Sequence, residues 1–198
     1  MDDGHVHDDA LAEVIAARRR LREDPRSLLD RDQVLRWSAS EDIDTLGALS
    51  SLLFHPDESR RITPNLTLED YLQIELPYLE RCLKEDPQGE WADSRWQAGG
   101  LLANWIKDIW RDERFRPFVD SIRDWLAQLY KSTDDLDLRT CLVQATLEHV
   151  FEIPGIAERF ETWREDPALR SAYDEAKLWK EGLDELGMEP VDYRRSRK

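Results

Sequence analysis

Few residues of this chain are of kinds that do chemistry, and where they gather they gather mostly as carboxylates. Glu148 and His149 adjoin and could act as an acid–base or metal-binding pair. His5 and His7 stand among Asp2, Asp3, Asp8 and Asp9, a His-x-His spacing that can hold a metal ion. Asp134, Asp135 and Asp137 have the outline of an acidic magnesium motif, and Glu41, Asp42 and Asp44 form a second triplet. Gly99-Gly100 could in principle approach a phosphate.

Each of these has a plainer reading. His149 falls in an apolar segment, where a hydrogen-bonded, mostly buried histidine fits. The N-terminal histidines belong to a polar chain end, where order is lost first. Both acidic triplets stand at loop-to-helix junctions, where carboxylates cap the helix and oppose its dipole. The glycine pair lacks the Lys-Ser/Thr and the preceding strand of a phosphate loop. Each Gly inside a helix costs about 1 kcal/mol relative to Ala, so close approach of a neighbouring helix or an indole is the expected reason. There is no Gly-x-Ser-x-Gly elbow, His-Glu-x-x-His, Cys-x-x-Cys or Walker loop. The reading is therefore that the chain carries no catalytic residue, no metal and no cofactor.

The elements that must position these residues are helical. Apolar positions recur at helical spacing through nearly every segment, and nowhere does a period of two persist. The expected fold is all-α, a compact single-domain bundle of roughly seven to nine helices without a significant sheet. Residues 1–9 are read as a flexible N-terminus, 10–187 as the helical domain with a possible N-terminal subdomain over 10–55, and 188–198 as a tail. Phe115, Phe118, Val119, Ile122, Trp125, Leu126 and Leu129 give the clearest amphipathic helix, over Arg114 to Tyr130. Leu136 to Phe151 is apolar nearly all round, which predicts the central helix. Ser40 is taken as the N-cap of the helix carrying Ile43, Leu46 and Leu49. Thr67 and Asp70 resemble a capping box with Asp in place of Glu. Pro77 predicts a kink near Gln73–Leu76, or two helices meeting there. The tripeptide Glu-Asp-Pro recurs at residues 23, 85 and 165, each copy a place where one helix stops and another can start.

At 198 residues the chain can bury roughly 70% of its unfolded surface without staples. Cys82 and Cys141 are read as small buried thiols. The first thirty residues contain no apolar signal-peptide core and no run approaches a membrane span, so the expected compartment is the cytoplasm. The net charge is −15. A field of that sign disfavours nucleic acid and anionic lipid and favours a basic protein partner.

The stretch Leu147-Glu148-His149-Val150-Phe151-Glu152-Ile153-Pro154, then Phe160 to Leu169, then Ala172 to Ala176, resembles the C-terminal part of small bacterial helical proteins similar to immunity proteins of toxin systems. The resemblance covers about a quarter of the chain and rests on helix-packing positions. It implies an inhibitor-type role and transfers no catalytic residue. The leading expectation is a non-enzymatic immunity protein whose acidic face, through Glu41, Asp42, Asp44, Asp134, Asp135 and Asp137, covers a basic site on a toxin domain. Two rivals stand beside it. One is a helical enzyme with a pocket near His149 and the Pro77 kink. The other is a homo-oligomeric scaffold anchored by exposed Trp37 or Trp91.

Overall fold

The computed structural model describes residues 6–53, 63–85, 94–113 and 115–186, and among them every regular element is a helix. The fold class is all-α, as the periodicity predicts. Where the sequence reading has one helical domain over 10–187, contacts divide the chain into two compact units, Met1–Arg95 and Trp96–Lys198. The division falls in the first turn of a helix. Of the N-terminus expected to be flexible over 1–9, residues 6–9 form the start of the first helix. Residues 1–5, the tail expected over 188–198 and the second Glu-Asp-Pro copy beyond Glu85 lie outside the described residues.

The first unit holds α1 (Val6–Glu23), α2 (Arg31–Ser38), α3 (Ile43–Leu53) and α4 (Leu68–Glu85). Helix α3 packs against α1, α2 and α4. Its apolar stripe, Leu46, Leu49 and Leu53, is almost completely buried, opposite Tyr71, Ile74, Leu79, Cys82 and Leu83 of α4. The N-cap of α3 is Asp42 and not Ser40: the Asp42 carboxylate accepts from the Thr45 backbone N–H at 2.8 Å, while Ser40 Oγ accepts from the Asp42 N–H. The capping box of α4 forms as expected. Thr67 Oγ1 accepts from the Asp70 N–H at 3.1 Å and Asp70 Oδ2 accepts from the Thr67 N–H at 2.9 Å. Arg31 adds a two-pronged ion pair to Asp70, at 2.8 and 2.6 Å, and holds that carboxyl down at about 2. Pro77 does not divide α4, which is one helix across it. Trp37, taken from sequence as an exposed anchor, is 2% exposed and donates its indole N–H to Glu13 at 2.8 Å. An indole half apolar and half donor is satisfied by this placement. Trp91 lies outside the described residues.

The second unit holds the remainder of α5 (Arg95–Arg111), then α6 (Arg116–Ser132) and α7 (Leu136–Cys141). The chain continues through a π-helical segment, Leu142–Leu147, into α8 (Glu148–Phe151). A 3-10 turn, Ala157–Phe160, leads to α9 (Glu161–Glu165) and α10 (Arg170–Glu185). Leu138, Cys141, Leu142, Val143, Leu147, Val150 and Phe151 are buried, so the segment read as central is central to its unit. The reason for Gly99 is visible there. A Cβ on it would lie 2.8 Å from the Ala145 Cβ, and Thr146 Oγ1 donates to the Gly99 carbonyl at 3.1 Å. The two backbones touch through the glycine. Phe151 meets Phe160 and Tyr173 edge to face, with centroids 5.4 and 5.3 Å apart. The α6 stripe is narrower than expected: Val119, Ile122, Leu126 and Leu129 are buried, whereas Phe118 and Trp125 are half-buried. Cys82 and Cys141 are both free and buried.

The two described Glu-Asp-Pro copies share one device. Asp24 accepts from the Arg26 N–H at 3.0 Å and Asp166 from the Ala168 N–H at 2.9 Å. Each Asp thus closes a turn over the Pro that follows it, which starts the next stretch of chain in a fixed direction.

Candidate partner-binding site

The six carboxylates singled out from sequence divide between the two units, Glu41, Asp42 and Asp44 in the first and Asp134, Asp135 and Asp137 in the second. Their tasks differ. Asp42 is half-buried and caps α3, its carboxylate also accepting from the Thr45 hydroxyl at 2.5 Å. Asp135 caps α7 by accepting from the Leu138 N–H at 3.0 Å. These two serve the fold directly. Glu41, Asp44, Asp134 and Asp137 are exposed, each held beside a helix start whose geometry the caps determine. They are the members of the two triplets available to a partner.

The second concentration of chemistry surrounds α8 in the second unit. His149 Nδ1 donates to Glu152 Oε1 at 2.9 Å. Glu152 is 3% exposed, and Lys107 Nζ from α5 stands 3.6 Å from its other oxygen. Trp179 of α10 brings its indole Nε1 to 3.5 Å from Oε1. Burial alone would raise the Glu152 carboxyl; the hydrogen bond from His149, then the charges of Lys107 and His149 and the Trp179 N–H, outweigh it and hold the group below its ordinary value. His149 is therefore a half-buried, hydrogen-bonded histidine, the plainer of its two readings. The neighbouring Glu148 behaves oppositely. Burial, then the negative charge of Glu175, push it up to about 7. The arrangement is one ion network of three helices topped by Trp179, which is 43% exposed.

Besides Trp179, α10 carries Leu178 at 66% exposed, and Leu186, its C-cap, is 74% exposed. Periodicity predicts the inward face, Ala172, Tyr173 and Ala176, correctly. It also enlists Trp179 and Leu186, whose positions fall at the margin of that face and open outward. Their neighbours in sequence, Asp174, Glu175, Glu181, Asp184 and Glu185, gave the signal that this half of the helix has a solvated side.

One buried group escaped sequence reasoning. Glu75 of α4 is 2% exposed, accepts from Ser50 Oγ of α3 at 2.7 Å, and its Oε1 has no hydrogen-bond partner. Burial raises it to about 7 against the lowering effect of Ser50. Its spacing from Tyr71, Tyr78 and Leu79 places it on the buried face of its own helix, a signal that was present in the sequence.

Among the described residues no group of three or more His, Cys, Asp or Glu side chains is arranged to hold a metal ion. His5 and the side chain of His7 lie outside them. Among the described residues no helix is long and apolar enough to cross a membrane. Compared with protein-family models, curated proteins and solved structures, the chain matches none.

Proposed function

We propose that this is a non-enzymatic binding protein that meets a basic protein partner through its acidic surface, as an immunity protein would meet a toxin domain. The observation that supports the reading best is the placement of Glu41, Asp44, Asp134 and Asp137, exposed carboxylates beside helix starts whose caps are already satisfied by Asp42 and Asp135. They add to a net charge of −15 without being spent on the fold. Charge so held steers encounter with a cationic surface and keeps like-charged surfaces away. Covering a basic cleft with such a surface blocks the cleft by occlusion and needs no chemistry from the inhibitor.

The test is capture of a partner from the native host with the full chain as bait, followed by kinetics on the captured protein. Association should be fast at low salt and slow markedly as salt rises, because the screening length shortens to about 8 Å at physiological ionic strength. Reversing charge at Asp134 and Asp137, or at Glu41 and Asp44, should lower the association rate and leave the fold intact. A partner whose binding ignores both salt and these substitutions removes the acidic surface as the site. Turnover of a small molecule that is lost in His149→Gln while partner binding persists would favour the helical-enzyme reading.

A further inference from the structure

Three glycines of the second unit, Gly99, Gly100 and Gly182, stand in helices. Gly99 is required by Ala145, as described above. Gly182, like Gly100, is required by nothing among the described residues: a Cβ built on either meets no atom within 4 Å, and what sets Gly182 apart is its surroundings. A helical glycine without a contact is a standing cost, since Ala would hold the helix better. Its position explains the cost if something outside the described fold comes close. Gly182 follows Leu178 by four residues and Trp179 by three, and precedes Leu186 by four, so these three exposed apolar side chains surround it on the helix surface. A small residue at the centre of an apolar patch is the arrangement that lets a second helix approach closely.

We infer that this outward face of α10 docks a basic amphipathic helix of the partner protein; the inference rests on the binding reading above and names its apolar anchor. The rim of the patch is acidic. Between Arg170 and Glu185 the helix carries five carboxylates and three cations. Of the cations, Lys180 is paired with Asp184 and Lys177 lies over the Tyr173 ring, 6.0 Å from its centroid. Glu175 lies one turn before Trp179 and is exposed. Trp179 itself is positioned in advance, because the Glu152 carboxylate that its N–H faces is fastened by His149 and Lys107. An indole already oriented, beside that glycine in a patch with a charged rim, is the usual composition of an interface hot spot. The occupant that complements all three features is a helix with an apolar stripe flanked by Lys or Arg.

The experiment titrates the full-length protein into a fluorescently labelled Lys/Leu helical peptide of roughly five turns, followed by anisotropy at physiological salt. The wild type should bind it. A scrambled peptide of the same composition, which cannot present a stripe, should bind at least about tenfold more weakly. Trp179→Ala and Leu178→Ser should each weaken binding by about tenfold or more. Gly182→Leu should do the same through the space it fills. Gly182→Ala should raise the melting temperature by about 2 °C while lowering affinity, a combination that a structural role for the glycine cannot give. No binding of the stripe peptide by a folded wild type overturns the inference, as does wild-type affinity in Trp179→Ala and Leu178→Ser. If removal of residues 187–198 raises affinity about tenfold, the chain's own basic tail is the occupant and the inference falls. It falls equally if the free protein self-associates through this face and Trp179→Ala abolishes the association. If these variants bind the peptide normally while charge reversal at Asp134 and Asp137 abolishes capture of the host partner, the docking face is wrong and the binding reading stands. If the peptide docks as described but no host partner is captured, the binding reading fails and the face remains.

Discussion

Glu75 in the first unit and Glu152 in the second are each no more than 3% exposed, yet one keeps its proton to about pH 7 and the other gives it up more readily than a free carboxyl. Both are almost closed to solvent, Glu75 the more deeply enclosed. The rest of the difference lies in what faces the oxygens. Glu152 Oε1 is met by His149 and the Trp179 N–H, and its Oε2, which accepts no hydrogen bond, faces the Lys107 charge at 3.6 Å; Glu75 is met by one hydroxyl, that of Ser50, and its second oxygen accepts no hydrogen bond. A buried carboxylate is kept charged by its partners and not by its position. The first unit holds a group that resists ionisation, the second a group that depends on it.

The comparison can be broken first at Glu152. Glu152→Gln leaves Lys107 and His149 against a neutral amide, so it should destabilise the protein at pH 7 by about 3 kcal/mol. Urea unfolding with unchanged stability would mean that the network is slack. The same group gives a pH signature. Its folded value is lowered, so its contribution is present above its ordinary 4.5 and lost as pH falls through the folded value.

Glu75→Gln should act in the opposite sense and nearly as strongly. Because the folded value is raised from 4.5 to about 7, the contribution of Glu75 is fully present below 4.5 and lost as pH rises through 7. The amide keeps the Ser50 hydrogen bond without the charge. The variant should gain roughly 3 kcal/mol at pH 8 and nothing near pH 4. Parallel urea curves at the two pH values decide it.

Ser50→Ala sharpens the contrast, since it removes the one donor from Glu75. It should cost about 1–2 kcal/mol at pH 8, where the carboxylate is charged, and less at pH 5. Smallest of all should be His149→Gln, because the amide N–H₂ can donate to Glu152 in place of the ring. A loss within about 1 kcal/mol, with binding activity within a few-fold, is expected from thermal melts and partner kinetics.

Much of this was legible from residue types. Thr67 and Asp70 announced their capping box three residues apart, and Gly99 announced a close neighbour because a glycine in a helix has to be explained. The all-round apolar run from Leu136 located the centre of the second unit. What failed did so for physical reasons. Ser40 and Asp42 are both good caps two residues apart, and only the register of the helix chooses between them. Trp125 sits on the apolar stripe by spacing, yet a stripe drawn at ideal periodicity is wider than the contact one neighbour makes. Trp37 could be an anchor on the surface or a core indole with a polar tip, and its partner, Glu13, is too distant in sequence to be foreseen. The ion network around Glu152 joins α5, α8 and α10, so no local pattern contains it.

The π turn at Leu142–Leu147 has a consequence for counting. Glu148 N–H bonds the Val143 carbonyl five residues back, so the turn spans the length of an α turn with one residue more. The turn absorbs that surplus without changing how His149 and Glu152 face. Deleting a single residue there, such as Gln144 with its exposed side chain, would remove the surplus and leave an ordinary α turn, with the two ends of the helix still in register. Leu138 and Cys141 would keep the core, and His149 and Glu152 would keep Lys107. The segment therefore behaves as slack in the chain's length. A related chain one residue shorter there can build the same core and the same network on an unbroken α-helix.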